Sequence, residues 1–345
     1  MVDRQPRYRT GNSELDERIT DLVAAAGIAD EDLIFEMIVS AVRMGRESAD
    51  RGDLKLVNST LKELRYSFLV FEPYESVRKV SIFGSARTTR DDPGYVMARD
   101  FGRAITEQDW MVITGAGPGI MEAGIEGAGA DRAFGVNIVL PFESSAAPVI
   151  LGDPKLINYR YFFTRKLTFM KESSAFALLP GGFGTMDEAF ELLTLMQTGR
   201  SPVAPVVLLE SEGSTYWLQW QEFVETELAS RGLISASDFA FTRICTTVEA
   251  AVDEVCRFYS TFHSYRFVGR RIVVRLEREI TDDELDALDR DFADIVVSGR
   301  IDRAEASQPE IDDSDAVDLP RLSFAFDRFS YARLRLLIDQ LNVGT

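Results

Sequence analysis

The chain has 345 residues, 46% of them apolar, and a formal charge of −18. At about 100–200 residues per domain, this length predicts roughly two domains with ample material for a core. The acidic balance argues against a nucleic-acid or anionic-membrane partner, and two cysteines with one histidine exclude a disulfide framework, a metal cluster and most histidine-based triads.

Residues 1–75 read as a helical extension. Leu15, Ile19, Leu22 and Val23 form one helical stripe, Leu33, Ile34, Met37, Ile38, Ala41 and Val42 a second, and residues 54–71 continue in the same way to Pro73. An α/β core then begins. Lys79 to Phe83 predicts a buried strand that opens into Gly84-Ser85-Ala86-Arg87, and residues 93–108 predict a helix. Trp110 to Ile113 predicts a second strand, followed by Thr114-Gly115-Ala116-Gly117-Pro118-Gly119 and a helix to about Gly129. This turn is neither the dinucleotide G-x-G-x-x-G, because Ile120 replaces the third glycine, nor a P-loop, because the Lys-Ser/Thr pair is missing. Phe134 to Leu140 predicts a third strand, ending at Pro141-Phe142-Glu143.

A loop through Asn158 has the length of a lid, and Tyr159 to Met170 predicts a helix whose aromatic face belongs in the core. Its Arg165-Lys166 pair feeds the strand Ala175 to Leu179, which enters Pro180-Gly181-Gly182-Phe183-Gly184-Thr185-Met186-Asp187-Glu188. Strand, glycine turn and helix together suit an anion. Glycines let a ligand lie on the backbone, and the helix start presents free N–H groups and a positive dipole end. Thr185 and Glu188 also have the spacing of a capping box, which needs no ligand. Further alternation (strand 203–209, helix 216–229, strand 241–245, helix 247–259) predicts a parallel sheet covered on both faces.

From about Tyr265 the pattern changes. Strands at 271–276, 301–306 and 322–326, helices at 281–297 and 331–341, and an acidic, Pro-containing mobile loop at 308–320 predict a small α+β module like an incomplete ferredoxin fold. Regulation or assembly is its expected role. His263 falls in a helix end or linker. The N-terminus lacks the apolar core of a signal peptide and no run reaches the ~18 apolar residues of a membrane span, so a cytoplasmic location is expected.

The central segment resembles the PGGxGTxxE signature of the LONELY GUY family, long labelled "lysine decarboxylase". Arg165-Lys166 is similar to that family's upstream pair, Leu140-Pro141-Phe142-Glu143 to its Pro-x-Glu segment, and the turns at Gly84-Ser85 and Gly115-Ala116-Gly117 to its first two loops. The resemblance covers residues 76–262; the helical extension and the module at 265–345 are similar to the longer bacterial branch. It implies a Rossmann-like doubly wound sheet and a nucleoside 5′-monophosphate phosphoribohydrolase, releasing ribose 5-phosphate and a free base from AMP or N6-prenylated AMP. Arg165 and Glu188 would be catalytic: the carboxylate stabilises an oxocarbenium-like transition state and orients water, and the guanidinium complements phosphate or developing charge. Gly84, Ser85, Gly115, Gly117, Glu143, Lys166, Gly181, Gly182, Gly184 and Thr185 would bind substrate. No cofactor or metal is expected, and the implied assembly is a homodimer or a multiple of dimers. A carrier of a phosphorylated ligand, similar to the molybdenum-cofactor carriers, and a nucleotide sensor are the alternatives; a pyridoxal-phosphate decarboxylase using Lys166 or Lys171 lacks a supporting motif.

Overall fold

The computed structural model describes residues 8–47, 49–139 and 146–343. Glu143 lies outside the described residues. The chain forms two compact units, divided between Tyr66 and Ser67. In the first, α1 (Ser13–Ala26) and α2 (Glu31–Arg46) close a small core of Ile19, Val23, Phe35 and Val39. The long helix α3 (Arg51–Phe71) runs into the second unit, where Phe71 stacks on Phe134 at 4.3 Å.

The second unit begins with β1 (Lys79–Phe83), α4 (Pro93–Thr106), β2 (Met111–Thr114), α5 (Ile120–Ala128), β3 (Ala133–Ile138) and β4 (Leu156–Tyr159). It continues with α6 (Phe162–Glu172), β5 (Ala175–Leu178), α7 (Phe183–Gln197), β6 (Val206–Leu209), α8 (Tyr216–Phe223), β7 (Thr242–Cys245) and α9 (Val248–Arg257). The seven strands form one parallel sheet in the order β4-β3-β2-β1-β5-β6-β7. Strand alternation sorts the side chains. Val80, Ile82, Val112 and Val207 pack under α4, α5 and α9, while Phe83, Ile113, Phe134, Phe176 and Leu178 face the core on the other side. This is the parallel sheet covered on both faces that the alternating pattern predicts, and the Rossmann-like doubly wound sheet that the resemblance implies.

Three expectations change here. The stretch expected as a long lid contains a short helical turn at Pro148–Ile150 and the edge strand β4, and Ala146 and Ile150 pack on Ala116. The helix after it starts at Phe162, three residues later than its pattern suggests. Its aromatic face is only partly core: Phe169 is fully buried, whereas Phe162, Phe163 and Leu167 are about half exposed.

The C-terminal part holds β8 (Phe262–Val268), β9 (Arg271–Leu276), α10 (Asp282–Asp291), β10 (Asp302–Arg303), α11 (Gln308–Asp312), β11 (Arg321–Phe324) and α12 (Tyr331–Leu341). Its antiparallel sheet has the order β10-β11-β9-β8, so the residues around His263 are a strand rather than a linker. The acidic segment expected to be mobile is pinned. Glu310 in α11 is completely buried, and its Oε1 accepts from Arg275 Nη2 at 2.9 Å and lies 3.1 Å from Arg321 Nη1. Both sheets share one hydrophobic core. Among the described residues no helix is long and apolar enough to cross a membrane.

Candidate active site

In this sheet order the crossovers leave β1 on one side and β5 on the other, and ligands of open parallel sheets bind beyond the strand C-termini at such a switch point. The glycine loops meet there. Ser85 N–H, after β1, donates to the Pro180 carbonyl, after β5, at 3.2 Å. The Ser85 carbonyl in turn accepts from Ile120 N–H at 3.0 Å, so the loops following β1, β2 and β5 form one connected rim. Ser85 Oγ is used locally, accepting from Arg87 N–H at 3.1 Å.

The central turn differs from its sequence reading. Gly182, in extended conformation, is the N-cap of α7, and no side chain caps it. Thr185 is therefore the third helical residue and Glu188 lies in the second turn, so the expected Thr185–Glu188 capping box does not form. The first amides of α7 face Gly182, Phe183 and Gly184, all exposed, with Phe183 97% exposed. This leaves an open helix start suited to an anion. Gly181 is required by crowding, because a Cβ there would collide with the Thr185 side chain. Its carbonyl accepts a 2.6 Å hydrogen bond from the Tyr216 hydroxyl at the start of α8.

Glu188 is only 7% exposed, and among the described residues its Oε2 has no hydrogen-bond partner. Burial pushes its carboxyl up, the Lys166 and Arg165 charges pull it down, and Glu191 and Asp187 push it up again; the result is about 7. Arg165, on α6, donates from Nε to the Val136 carbonyl of β3 at 3.0 Å. Its guanidinium lies against Gly115, where a Cβ would strike it. The Phe169 ring packs 5.4 Å from its Cζ. Lys166 reaches α7 instead, pairing with Asp187 Oδ2 at 2.7 Å and Glu191 Oε2 at 2.6 Å. Burial pulls its ammonium down, but these two carboxylates and Glu188 outweigh that and hold it above the ordinary lysine value.

The fold thus brings Ser85, Gly115, Arg165, Lys166, Gly181, Thr185 and Glu188 to one sheet edge. Gly84 packs on Ile120, and Gly117 borders Met121. Asp187, Glu191 and Tyr216 belong to the same assembly and were not singled out by sequence reasoning. The i, i+4 spacing of Asp187 and Glu191 on one helix face was the available signal for the first two; nothing in the sequence pointed to Tyr216. Among the described residues no group of three or more His, Cys, Asp or Glu is placed to hold a metal ion. The arrangement offers backbone donors for an anion, a fixed guanidinium, and a buried carboxyl able to gain or lose a proton near neutrality.

Residues 119–255 match the family model described as "Possible lysine decarboxylase". A "Probable cytokinin riboside 5′-monophosphate phosphoribohydrolase" of Oryza sativa subsp. japonica is 30% identical over 142 residues, 40% of this chain and 60% of that protein. The chain therefore spans less than two thirds of that relative. The cytokinin riboside 5′-monophosphate phosphoribohydrolase of Rhodococcoides fascians is 28% identical over 178 residues, 51% of this chain and 87% of that protein. Among solved structures, the molybdenum cofactor binding protein of Rippkaea orientalis is 17% identical over 51% of this chain and 94% of that one, with a TM-score of 0.38.

Proposed function

We propose, from the match of residues 119–255 to the family described as possible lysine decarboxylases and from the phosphoribohydrolase relatives, that the chain is a LONELY GUY-type nucleoside 5′-monophosphate phosphoribohydrolase. Its substrate class is AMP or N6-substituted AMP, cut by water into ribose 5-phosphate and the free base. One observation carries the reading: a buried glutamate with an unpartnered oxygen and a pKa near neutrality, flanked by two cations at the switch point.

In this reaction the 5′-phosphate is held by the open amides at Gly182 to Gly184 and by Thr185, the start of a helix whose dipole favours the anion. Departure of the base leaves positive charge on the ribose ring. The ionised Glu188 stabilises that charge and takes a proton from the attacking water; the departing base keeps the bonding electron pair and gains one proton in exchange, which returns Glu188 to its ionised form, a cycle for which a pKa near 7 suits neutral pH. Arg165, fixed by the Val136 carbonyl, supplies a planar donor fork to phosphate or to the leaving side. Lys166 already has two carboxylate partners, so it acts chiefly on Glu188, lowering its pKa from what burial alone would set. Glu143 is assigned to ribose or base by the family motif alone.

The exposed Phe162, Phe163 and Leu167 on α6, beside the Arg165-Lys166 pair, and the exposed Phe183 at the head of α7 support a homodimer that covers the site's edge. The test is a screen of AMP, GMP, CMP, UMP and N6-isopentenyl-AMP for ribose 5-phosphate release, with adenine or its analogue followed by chromatography. Release from the adenine nucleotides is expected. Binding of all of them without release would remove the enzyme and leave a carrier or sensor.

A further inference from the structure

Glu210 directly follows β6 and is 1% exposed, yet the reaction proposed above gives it no task. Glu254 and Glu310, also buried, each hold a buried arginine. Glu210 is arranged differently. Its Oε2 accepts from two neutral donors, Ser214 Oγ at 2.6 Å and the Trp217 N–H at 3.2 Å. Among the described residues its Oε1 has no hydrogen-bond partner. Burying an acid with one oxygen unused costs free energy, so such a group calls for a reason in its surroundings.

The reason lies in what its two bonds fix. The N-cap of α8 is Thr215, whose side chain makes no capping bond. Glu210 caps the helix from outside instead, through the amide of its second residue. Ser214, held by Glu210, accepts from the Tyr216 N–H at 3.4 Å, so both leading amides of α8 are tied to the end of β6. Tyr216, seated in this way, donates its hydroxyl to the Gly181 carbonyl at 2.6 Å. That carbonyl shares a peptide with the Gly182 N–H, the first of the amides assigned to the 5′-phosphate.

We propose that Glu210 is a positioning residue for the anion cradle: it sets the first turn of α8, and with it Tyr216, against Gly181. It touches no substrate. The proposal rests on the reading of the β5–α7 turn as a phosphate site but not on the cleavage step, so its probes are molecules without a base to lose.

Calorimetric titration of the full chain with ribose 5-phosphate and with inorganic phosphate is the test. The wild type is expected to bind both. Glu210→Leu, of similar volume without an acceptor, weakens both about tenfold, the order of one hydrogen bond. Glu210→Gln, whose amide oxygen replaces Oε2, stays within about threefold of the wild type. Tyr216→Phe weakens binding as Glu210→Leu does, and the two together lose no more than either, because both act through one carbonyl. With AMP, Glu210→Leu raises KM by the same factor and leaves kcat within about threefold. Binding that follows this pattern without cleavage of any nucleotide supports the proposal while removing the reaction. No ribose 5-phosphate heat at millimolar concentration in the wild type overturns it, even where nucleotides are cleaved. So does wild-type affinity in Glu210→Leu, a loss that Glu210→Gln does not restore, or losses that add in the double variant. Should Glu210→Leu not fold, Glu210→Gln combined with Ser214→Ala replaces it under the same criteria.

Discussion

Glu188 at the parallel sheet's edge and Glu310 beside the antiparallel sheet are both buried carboxyls, 7% and 0% exposed, yet their surroundings set them at opposite ends of the glutamate range. Around Glu310 every lone pair has a taker. Ser307 N–H and Oγ donate to Oε2 at 3.0 and 2.8 Å, while Arg275 and Arg321 hold Oε1. Burial pushes this carboxyl up, but those donors and charges outweigh it and bring it to about 2. Around Glu188 the cations stand nearby without hydrogen-bonding Oε2, so burial wins and the carboxyl rises to about 7. Burial alone does not decide what a buried acid does; the donors that reach it do. One site spends its charge on cohesion, and the other keeps a proton available for chemistry.

Exchanging each carboxyl for an amide separates the two roles. The largest expected effect is on turnover: Glu188→Gln lowers kcat/KM for AMP by roughly 10²–10⁴-fold, the range of a lost acid–base group, whereas folded Glu310→Gln retains wild-type turnover. Ribose 5-phosphate release measures both. On stability the order reverses. Glu310→Gln leaves the buried Arg321 without its carboxylate and the buried Arg275 with Asp315 alone, and costs about 3–5 kcal/mol in urea unfolding at pH 7.

The pH dependence of stability sharpens the contrast. Burial holds the folded Glu188 carboxyl at about 7, above the ordinary glutamate value of 4.5, so the folded state keeps its proton longer than the unfolded one. Its contribution is complete below pH 4.5 and is lost as pH rises towards 7. Glu188→Gln should therefore gain on the wild type across that window, by about 3 kcal/mol at most. Glu310, depressed to about 2, stabilises above pH 4.5 and loses that contribution as pH falls towards 2. The smallest effect expected is a displaced limb in the activity profile. Wild-type kcat/KM should rise through pH 7 as Glu188 ionises, and Lys166→Met, by removing the larger of the two neighbouring cation effects, should move that rise to higher pH.

Much of this was legible in residue order. Runs such as Lys79 to Phe83 and Ala175 to Leu178 announced buried parallel strands, and the glycine turn after β5 announced an anion-friendly edge. Short strands fused to other patterns were not. Leu156 to Tyr159 merged into the aromatic run that follows, and Phe262 to Val268 carries polar residues at alternate positions, as an edge strand does. The helix boundary at Gly182 was misplaced because the Thr-x-x-Glu spacing imitates a cap, while the backbone turns three residues earlier. The Lys166 clamp joins α6 to α7 across the fold, and the isolation of Glu188 Oε2 depends on what surrounds it in space. Linear spacing encodes neither.

The phenol of Tyr216 has one more consequence. A trans peptide is flat, with its carbonyl and its N–H directed oppositely. By anchoring the Gly181 oxygen on the α8 side, Tyr216 aims the Gly182 amide hydrogen the other way and holds that dipole still. A pair of glycines would otherwise let the plane swivel freely. The rigidity of this most flexible dipeptide is thus borrowed from an aromatic ring thirty-five positions downstream.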